Sequence, residues 1–157
     1  MSDKPNEIDA TDKRLLRALQ TDCRRSTAEL AEVMGVSQPV VWRRLQKLRA
    51  LGFIDKEVAV LNRAKLGLNT QVYAMVKLSS VGRANLAVFA ETIRSFPEVV
   101  ECYVMMGSAD FLLKVITCDI HAYERFFFER LSRVEGVQDV TSSVALSEIK
   151  PPSGLPI

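Results

Sequence analysis

One short stretch of the chain, residues 37–51, holds the side chains best suited to specific chemistry. Its four basic residues, with no acidic residue among them, are Arg43, Arg44, Lys47 and Arg49. Two glutamines, Gln38 and Gln46, lie in the same stretch. Basic side chains pair with phosphate oxygens, and arginine and glutamine make bidentate hydrogen bonds to the edges of guanine and adenine. Because a basic helix face is more often simply solvated, the interpretation depends on the elements that hold these residues.

Three short helices are predicted around this stretch. Asp9 with Asp12, and Ser26 with Glu29, stand three residues apart, which is the spacing of a capping box at a helix start. The predicted apolar positions of the three helices are Leu15, Leu16 and Leu19, then Ala28, Leu30, Ala31 and Met34, then Val41, Leu45 and Leu48. This spacing gives each helix one apolar side, as in a small helical domain.

A glycine turn separates the second and third helices. Gly35 ends the second helix, Ser37 is placed to cap the third, Pro39 is tolerated in its first turn, and Gly52 ends it. Two helices joined by a three-residue turn form the outline of a helix-turn-helix, whose second helix enters the major groove of DNA.

The apolar side of the third helix determines which residues point away from the core. At 100° per residue, the outward residues are Pro39, Arg43, Gln46 and Ala50, with Gln38, Trp42 and Lys47 on the flanks. We expect Arg43, Gln46 and Gln38 to contact base edges. Arg44, Lys47 and the Ser37 hydroxyl are better placed for phosphates. Trp42 could face DNA or pack on the first helix.

The charge distribution supports a single basic face. The chain of 157 residues has a formal net charge of only +2, which argues weakly against nucleic acid. Residues 1–60, however, carry 11 basic and nine acidic side chains, whereas residues 61–157 carry ten of each. The excess positive charge therefore lies in the first part of the chain.

After Gly52 the hydrophobic pattern changes from helical to mixed. Residues 53–61 are strand-like and residues 62–68 are typical of a linker. The elements predicted next are a strand at 71–78, a helix at 85–96, strands at 99–106 and 111–117, a helix at 121–131 and a strand at 137–146. This is the βαββαβ order of a ferredoxin-like domain. The predicted divisions are a DNA-binding domain at 1–60, a linker at 61–69, an α+β domain at 70–150 and an extended tail at 151–157.

The loop between the two middle strands, residues 106–111, is a candidate ligand site. It offers adjacent backbone N–H groups at Gly107 and Ser108, a hydroxyl, and the Asp110 carboxylate. A free amino acid needs N–H donors for its carboxylate and an acceptor for its ammonium group. A plain β-turn stabilised by Asp110 explains the same residues, so the loop by itself is weak evidence.

The helical region resembles the Lrp/AsnC family of transcription regulators. The residues that carry the resemblance are Ser26, Glu29, Leu30, Ala31, Met34, Gly35, Val36, Ser37, Arg44, Leu45, Leu48 and Gly52. The resemblance extends from about Asp9 to Lys150. Two departures from the family pattern are the order Gln38-Pro39 and the aromatic Trp42, and both lie on or beside the reading face. The operator sequence therefore cannot be inferred from the family.

The resemblance implies a winged or plain helix-turn-helix, joined by a β-linker to a ferredoxin-like effector and dimerisation domain. It implies partners in double-stranded DNA, a small effector such as an amino acid, and other copies of the chain, as dimers and larger assemblies such as octamers. The loop with Gly107 and Asp110 matches the family's effector loop. The expected effector-binding residues are Tyr103, Met106, Gly107, Ser108, Asp110, Thr141, Ser142 and Ser143.

Other functions have weaker support. An enzyme is not expected, because the single histidine, His121, belongs to no catalytic pattern and no glycine-rich phosphate loop is present. An RNA-binding domain of the same βαββαβ order needs stacking aromatics on its third strand, whereas residues 112–116 are mainly aliphatic. A low-specificity DNA-organising protein remains an alternative.

No cofactor, metal site or membrane contact is expected. The three cysteines, Cys23, Cys102 and Cys118, are separated and odd in number, which fits neither a disulfide framework nor a zinc site. The longest uncharged run has 11 residues, too short to span a bilayer, and residues 1–14 lack the apolar core of a signal peptide. These features predict a cytoplasmic protein.

Overall fold

The computed structural model describes residues 8–151 and 154–157. Residues 1–7 of the predicted DNA-binding domain and residues 152–153 of the predicted tail lie outside this description. The chain divides into two compact units, one formed by residues 1–60 with 149–157 and the other by residues 61–148. No helix in the described residues is long and apolar enough to cross a membrane.

Unit 1 contains three helices: α1 (Ala10–Thr21), α2 (Thr27–Met34) and α3 (Gln38–Ala50). Both predicted capping boxes are present, with the Asp12 N–H donating to Asp9 at 2.8 Å and the Glu29 N–H donating to Ser26 at 3.2 Å. Gly35 ends α2 at φ +66°, a left-handed conformation that glycine adopts without strain. Unit 1 is therefore a helix-turn-helix domain, as predicted.

The core of unit 1 is built from the predicted apolar stripes. The buried residues are Leu15, Leu16, Leu30, Ala31, Met34, Val41, Leu45 and Leu48. Ala28 is an exception, because it is exposed. Ser37 stands at the start of α3 as predicted, but its hydroxyl makes no capping hydrogen bond.

The predicted strand at residues 53–61 is wrong for the single chain. These residues form neither helix nor strand. A strand exists only when its N–H and C=O groups pair with a neighbour. No backbone hydrogen bond joins residues 54–61 to another described residue. The apolar side chains of this segment, including Val58 and Val60, are exposed instead, and unit 1 has no wing formed by these residues.

Unit 2 has the predicted ferredoxin-like order. Its strands are β1 (Thr70–Leu78), β2 (Val99–Val104), β3 (Phe111–Thr117) and β4 (Val137–Val144). Its helices are α4 (Ser80–Ala84), α5 (Leu86–Arg94) and α6 (Ile120–Glu129), with a 3₁₀ turn at Leu131–Arg133. The short α4 was not expected. All strand pairs are antiparallel, in the order β2-β3-β1-β4.

Helices cover only one face of this sheet. The buried alternate residues of β1 and β3, such as Val76 and Leu113, pack against Phe89 of α5 and Phe126 of α6. Among the described residues of unit 2, no helix packs on the other face. Apolar side chains remain partly exposed there, with 39% of Met75 and 52% of Tyr103 accessible. A sheet with one uncovered apolar face is an incomplete sandwich.

Candidate functional site

The predicted reading face of α3 is exposed. Pro39, Arg43, Gln46 and Ala50 are all exposed, and Val41, Leu45 and Leu48 are buried on the opposite side. Trp42 points outward, with 58% of its surface accessible, which favours the solvent-facing alternative. The helix therefore presents a guanidinium, an amide and an indole on one accessible surface.

Arg44 does not join that surface as a free cation. Its Nη1 lies 2.7 Å from a carboxylate oxygen of Asp9 and 2.7 Å from one of Asp12. The side chain of Asp12 is 1% exposed, and that of Arg44 is 24% exposed. The hydrogen bond to Asp12 raises the pKa of Arg44 most, and the bond to Asp9 raises it further. Arg44 ties α3 to α1, a role that the sequence analysis did not identify.

Two other bases of the stretch also have acidic neighbours. Lys47 Nζ lies 3.6 Å from Asp12, and Arg49 donates to Glu57 at 2.7 Å. Lys47 remains half exposed, so it can still reach a phosphate. Among the four bases, only Arg43 has no carboxylate within 4 Å in the described part of the chain. The local charge of the stretch is thus partly neutralised by acids from elsewhere in unit 1.

Gln38 is held at the turn between α2 and α3. Its amide nitrogen donates to the Thr27 hydroxyl at 3.0 Å. The amide oxygen has no donor among the described residues. Gln38 is exposed, and so is Ser37, whose hydroxyl makes no capping hydrogen bond. Both side chains lie at the N-terminus of α3, where N–H groups and the helix dipole favour anions.

The loop between β2 and β3 is anchored by Asp110. One oxygen of this carboxylate accepts the Leu78 N–H at 2.7 Å, and the Asp110 N–H donates to the Val76 carbonyl at 2.9 Å. The sequence allowed Asp110 either to accept the ammonium group of a ligand or to stabilise the turn. These bonds favour stabilisation of the turn. The Met105 N–H closes the loop by donating to the Asp110 carbonyl at 2.8 Å.

The tip of this loop is open to solvent. Met106, Gly107 and Ser108 are exposed, and Gly107 has a φ of +148°, which a larger residue would adopt only with strain. The N–H groups of Gly107 and Ser108 have no acceptor among the described residues. Two free adjacent donors can bind a carboxylate.

A basic residue that the sequence analysis missed lies beside this loop. Arg83 Nη1 is 3.9 Å from the Asp110 carboxylate. Arg83 belongs to α4, which packs closely against the backbone at Gly136. A Cβ atom added to Gly82 would lie only 2.5 Å from the Gly136 carbonyl oxygen. The pair of glycines thus allows the approach that brings Arg83 to the loop. The one sequence feature related to the approach of Arg83 to Asp110 is the glycine at position 82, and it belongs to no recognisable motif.

The predicted effector residues on β4 point to different faces of the sheet. Thr141 and Ser143 are opposite Met75 and Tyr73, on the uncovered face. Ser142 faces the helices, where its hydroxyl lies 2.5 Å from the Tyr123 hydroxyl, and burial raises the pKa of that tyrosine. Ser142 therefore contacts α6 and does not share a face of the sheet with Thr141 and Ser143.

Within one chain, the loop and β4 are not brought together. β1 lies between β3 and β4 in the sheet, so β3 and β4 are two strand spacings apart, about 9.6 Å.

Tyr103 lies on the uncovered face, opposite Leu112, and its hydroxyl donates to Glu101 at 3.0 Å. The hydrogen bond from Lys114 holds the pKa of the Glu101 carboxyl below its usual value.

Two family models match the chain. The AsnC-type helix-turn-helix domain matches residues 8–49, and the Lrp/AsnC ligand binding domain matches residues 71–155. The chain belongs to the Lrp/AsnC family. The Lrp/AsnC assignment also explains the order of the two units, with the helix-turn-helix before the ferredoxin-like domain. The protein is therefore a DNA-binding transcription regulator and not an enzyme.

Relatives cover nearly the whole chain. Transcriptional regulator AzlB of Bacillus subtilis is 33% identical over 150 residues, covering 96% of both chains. The leucine-responsive regulatory protein of Rhizobium meliloti is 36% identical, covering 92% of both. The crystal structure of transcriptional regulator NMB0573 of Neisseria meningitidis, a complex with L-methionine, has a TM-score of 0.91 at 33% identity, covering 96% of this chain and 97% of that one.

The Asp12 contact to α3 gives a stability prediction. We expect Asp12→Asn to lower the free energy of unfolding by about 2–4 kcal/mol, because the partly buried Arg44 guanidinium loses the buried one of its two carboxylate partners and keeps only the exposed Asp9. The measurement is urea denaturation followed by the emission of Trp42, the one tryptophan in the sequence. The control is Glu32→Gln, the same chemical change at an exposed position on α2. Equal stabilities of the two variants would contradict this role of Asp12.

Proposed function

We propose that α3 reads DNA through Arg43, Gln46, Gln38, Pro39 and Trp42. The observation that carries the proposal is the exposure of all five side chains beside a buried apolar stripe. Arg43 suits a guanine edge, and the glutamines suit adenine. The Trp42 indole offers an apolar surface for a thymine methyl group.

A second set of groups positions α3 on the phosphates. Lys47, the Ser37 hydroxyl and the N–H groups at the start of α3 supply these contacts in our proposal. Arg44 is left out of this set, because its guanidinium is engaged with Asp9 and Asp12. Its part in DNA binding is to hold α3 in place. Because the proposed partner is DNA, we propose that the protein acts in the cytoplasm.

Variants of α3 separate base reading from phosphate contact. We expect Arg43→Ala to weaken binding to a duplex selected from a random library by about 5- to 150-fold and binding to unselected duplexes much less. Lys47→Ala should weaken both about equally and reduce the slope of log K against log salt by about 0.9 per contact. Mobility shifts over a salt series measure both effects.

The control for these variants is Arg94→Ala, which removes one positive charge from the exposed surface of unit 2. Its binding should equal that of the unmodified chain. If Arg43→Ala weakened selected and unselected duplexes by the same factor, α3 would not read sequence, and the low-specificity DNA-organising function would be favoured.

We infer that a free amino acid is the effector and that its carboxylate binds at the loop tip. The free N–H groups of Gly107 and Ser108 support this inference, and so does the nearby Arg83 guanidinium. Because Asp110 already accepts the Leu78 N–H, it acts mainly by shaping the loop. The neighbour NMB0573, solved with L-methionine, makes an apolar amino acid the first one to test.

An amino-acid site that also uses Thr141 and Ser143 needs a second copy of the chain. These hydroxyls lie on the uncovered sheet face, away from the loop of their own chain. Tyr103 and Met106 belong to the loop side of such a shared site. Effector binding then changes the relative stability of assemblies and so the spacing of the reading helices.

Calorimetric titration with each of the twenty amino acids tests the effector proposal. At least one should bind, and Asp110→Ala should weaken that binding by about tenfold or more, because the loop loses its anchor at the Leu78 N–H. The control is Glu91→Ala, which removes an exposed carboxylate from α5, on the helical side of the sheet. Binding to none of the twenty, or equal binding by the Asp110 variant, would refute the proposal.

We propose that the uncovered sheet face forms the homodimer. Met75 and Leu112 are paired apolar residues on that face, and Ile116 lies further along β3 on the same face. Their burial would supply association free energy. Larger assemblies such as octamers would then form from such dimers.

A charge on the sheet face should break the dimer. Met75→Asp is expected to shift the chain to a monomer in sedimentation equilibrium, because a carboxylate would be buried between two apolar faces. Glu135→Lys, a charge change in an exposed turn, serves as control and should stay dimeric. Circular dichroism checks that both remain folded. A Met75→Asp chain with unchanged mass would exclude this face as the interface.

A further inference from the structure

The residues that follow unit 2 in the chain return to unit 1. Residues 149–157 belong to the same compact unit as residues 1–60, and not to the unit that directly precedes them. The sequence predicted only an extended tail here. Unit 1 is therefore formed by two segments of chain, one on each side of unit 2, and two covalent connections join the units.

The described end of this segment, residues 154–157, makes specific hydrogen bonds to α1. The Gln20 side-chain amide bonds to Leu155 in both directions: its nitrogen donates to the Leu155 carbonyl at 3.3 Å, and its oxygen accepts the Leu155 N–H. Arg17 Nε donates to the Ile157 carbonyl. An amide that both donates to and accepts from one residue holds that backbone much as a neighbouring strand would.

Apolar contact accompanies these bonds. Ile157 is partly buried and packs against the core of unit 1, as do Leu19 of α1 and Ile54. Leu155 and Ile157 also line a groove with Leu16 and Leu19. The segment thus contributes its backbone for hydrogen bonds and the Ile157 side chain for burial, whereas Leu155 stays largely exposed.

The helix that receives this segment is the one that holds α3. α1 begins at the Asp9 cap and carries Asp12, and these carboxylates bind Arg44. Arg17 and Gln20 lie one to two turns further along the same helix. Any contact that keeps α1 folded therefore also preserves the partners of Arg44.

We propose that residues 154–157 form a strap that docks on α1 and stabilises the DNA-reading unit. The strap follows unit 2 in the chain, and its contacts lie within unit 1, on α1. Its occupant is the chain's own C-terminal segment, recognised by the two-way amide pairing of Gln20 and the apolar contact of Ile157.

Hydrogen exchange on the full chain and on a chain ending at residue 153 tests the strap. We expect amides of α1, α2 and α3 to exchange about five- to tenfold faster in the shortened chain, because unit 1 loses three hydrogen bonds made by two side chains and one partly buried isoleucine. Amides of β1 and β3 in unit 2 should be unchanged. This readout needs no DNA or effector, so it stands or falls separately from the proposed function.

Side-chain variants show whether the effect comes from docking. Gln20→Ala in the full chain should give part of the acceleration, and adding it to the shortened chain should give no more, since both changes remove the same contact. Lys13→Ala, at another exposed position of α1, is the matched control and should leave exchange unchanged. Unchanged α1 exchange in the shortened chain, equal acceleration in both units, or full additivity with Gln20→Ala would each overturn the proposal.

Discussion

The buried carboxylate of Asp12 fixes the geometry on which the reading face depends. Its oxygens lie 2.7 Å from Arg44 and 3.6 Å from Lys47, both on α3. Apolar packing is non-directional and would tolerate small rotations of α3, whereas an ion pair with a buried carboxylate is costly to misalign. With Arg44 turned toward α1, the opposite side of α3 presents Trp42, Arg43 and Gln46 to solvent.

A second constraint is the one-sided sheet of unit 2. α5 and α6 cover one face, and in the described part of unit 2 the apolar side chains on the other face, such as Met75, stay partly exposed. The same sheet keeps the loop between β2 and β3, our proposed effector site, apart from the outward hydroxyls of β4. Self-association would satisfy both needs, because it buries the uncovered face and supplies polar groups from a second copy. In our account, the same sheet face therefore serves both assembly and effector binding.

The predictability of this structure depends on how far apart in the chain the interacting residues are. The capping boxes of Asp9 and Ser26 join residues three apart, and the core stripes repeat within single helices, so both could be predicted from the sequence. Arg44 meets partners 32 and 35 residues away, and no local pattern indicates them. The acids that partly neutralise the stretch 37–51 lie outside it, so its composition alone does not indicate them. The strand at 53–61 failed because strand propensity does not supply the required hydrogen-bonding partner.

The emission of Trp42 during a titration with DNA is the most direct test of the central claim that the exposed face of α3 reads DNA. This residue is the one tryptophan in the sequence and is 58% exposed on that face, so its emission reports on α3. We predict a saturable change in emission with a selected duplex, in parallel with binding measured by mobility shift, and its loss as salt weakens the complex. Unchanged emission while the duplex is fully bound would contradict the account, because DNA would then contact another surface.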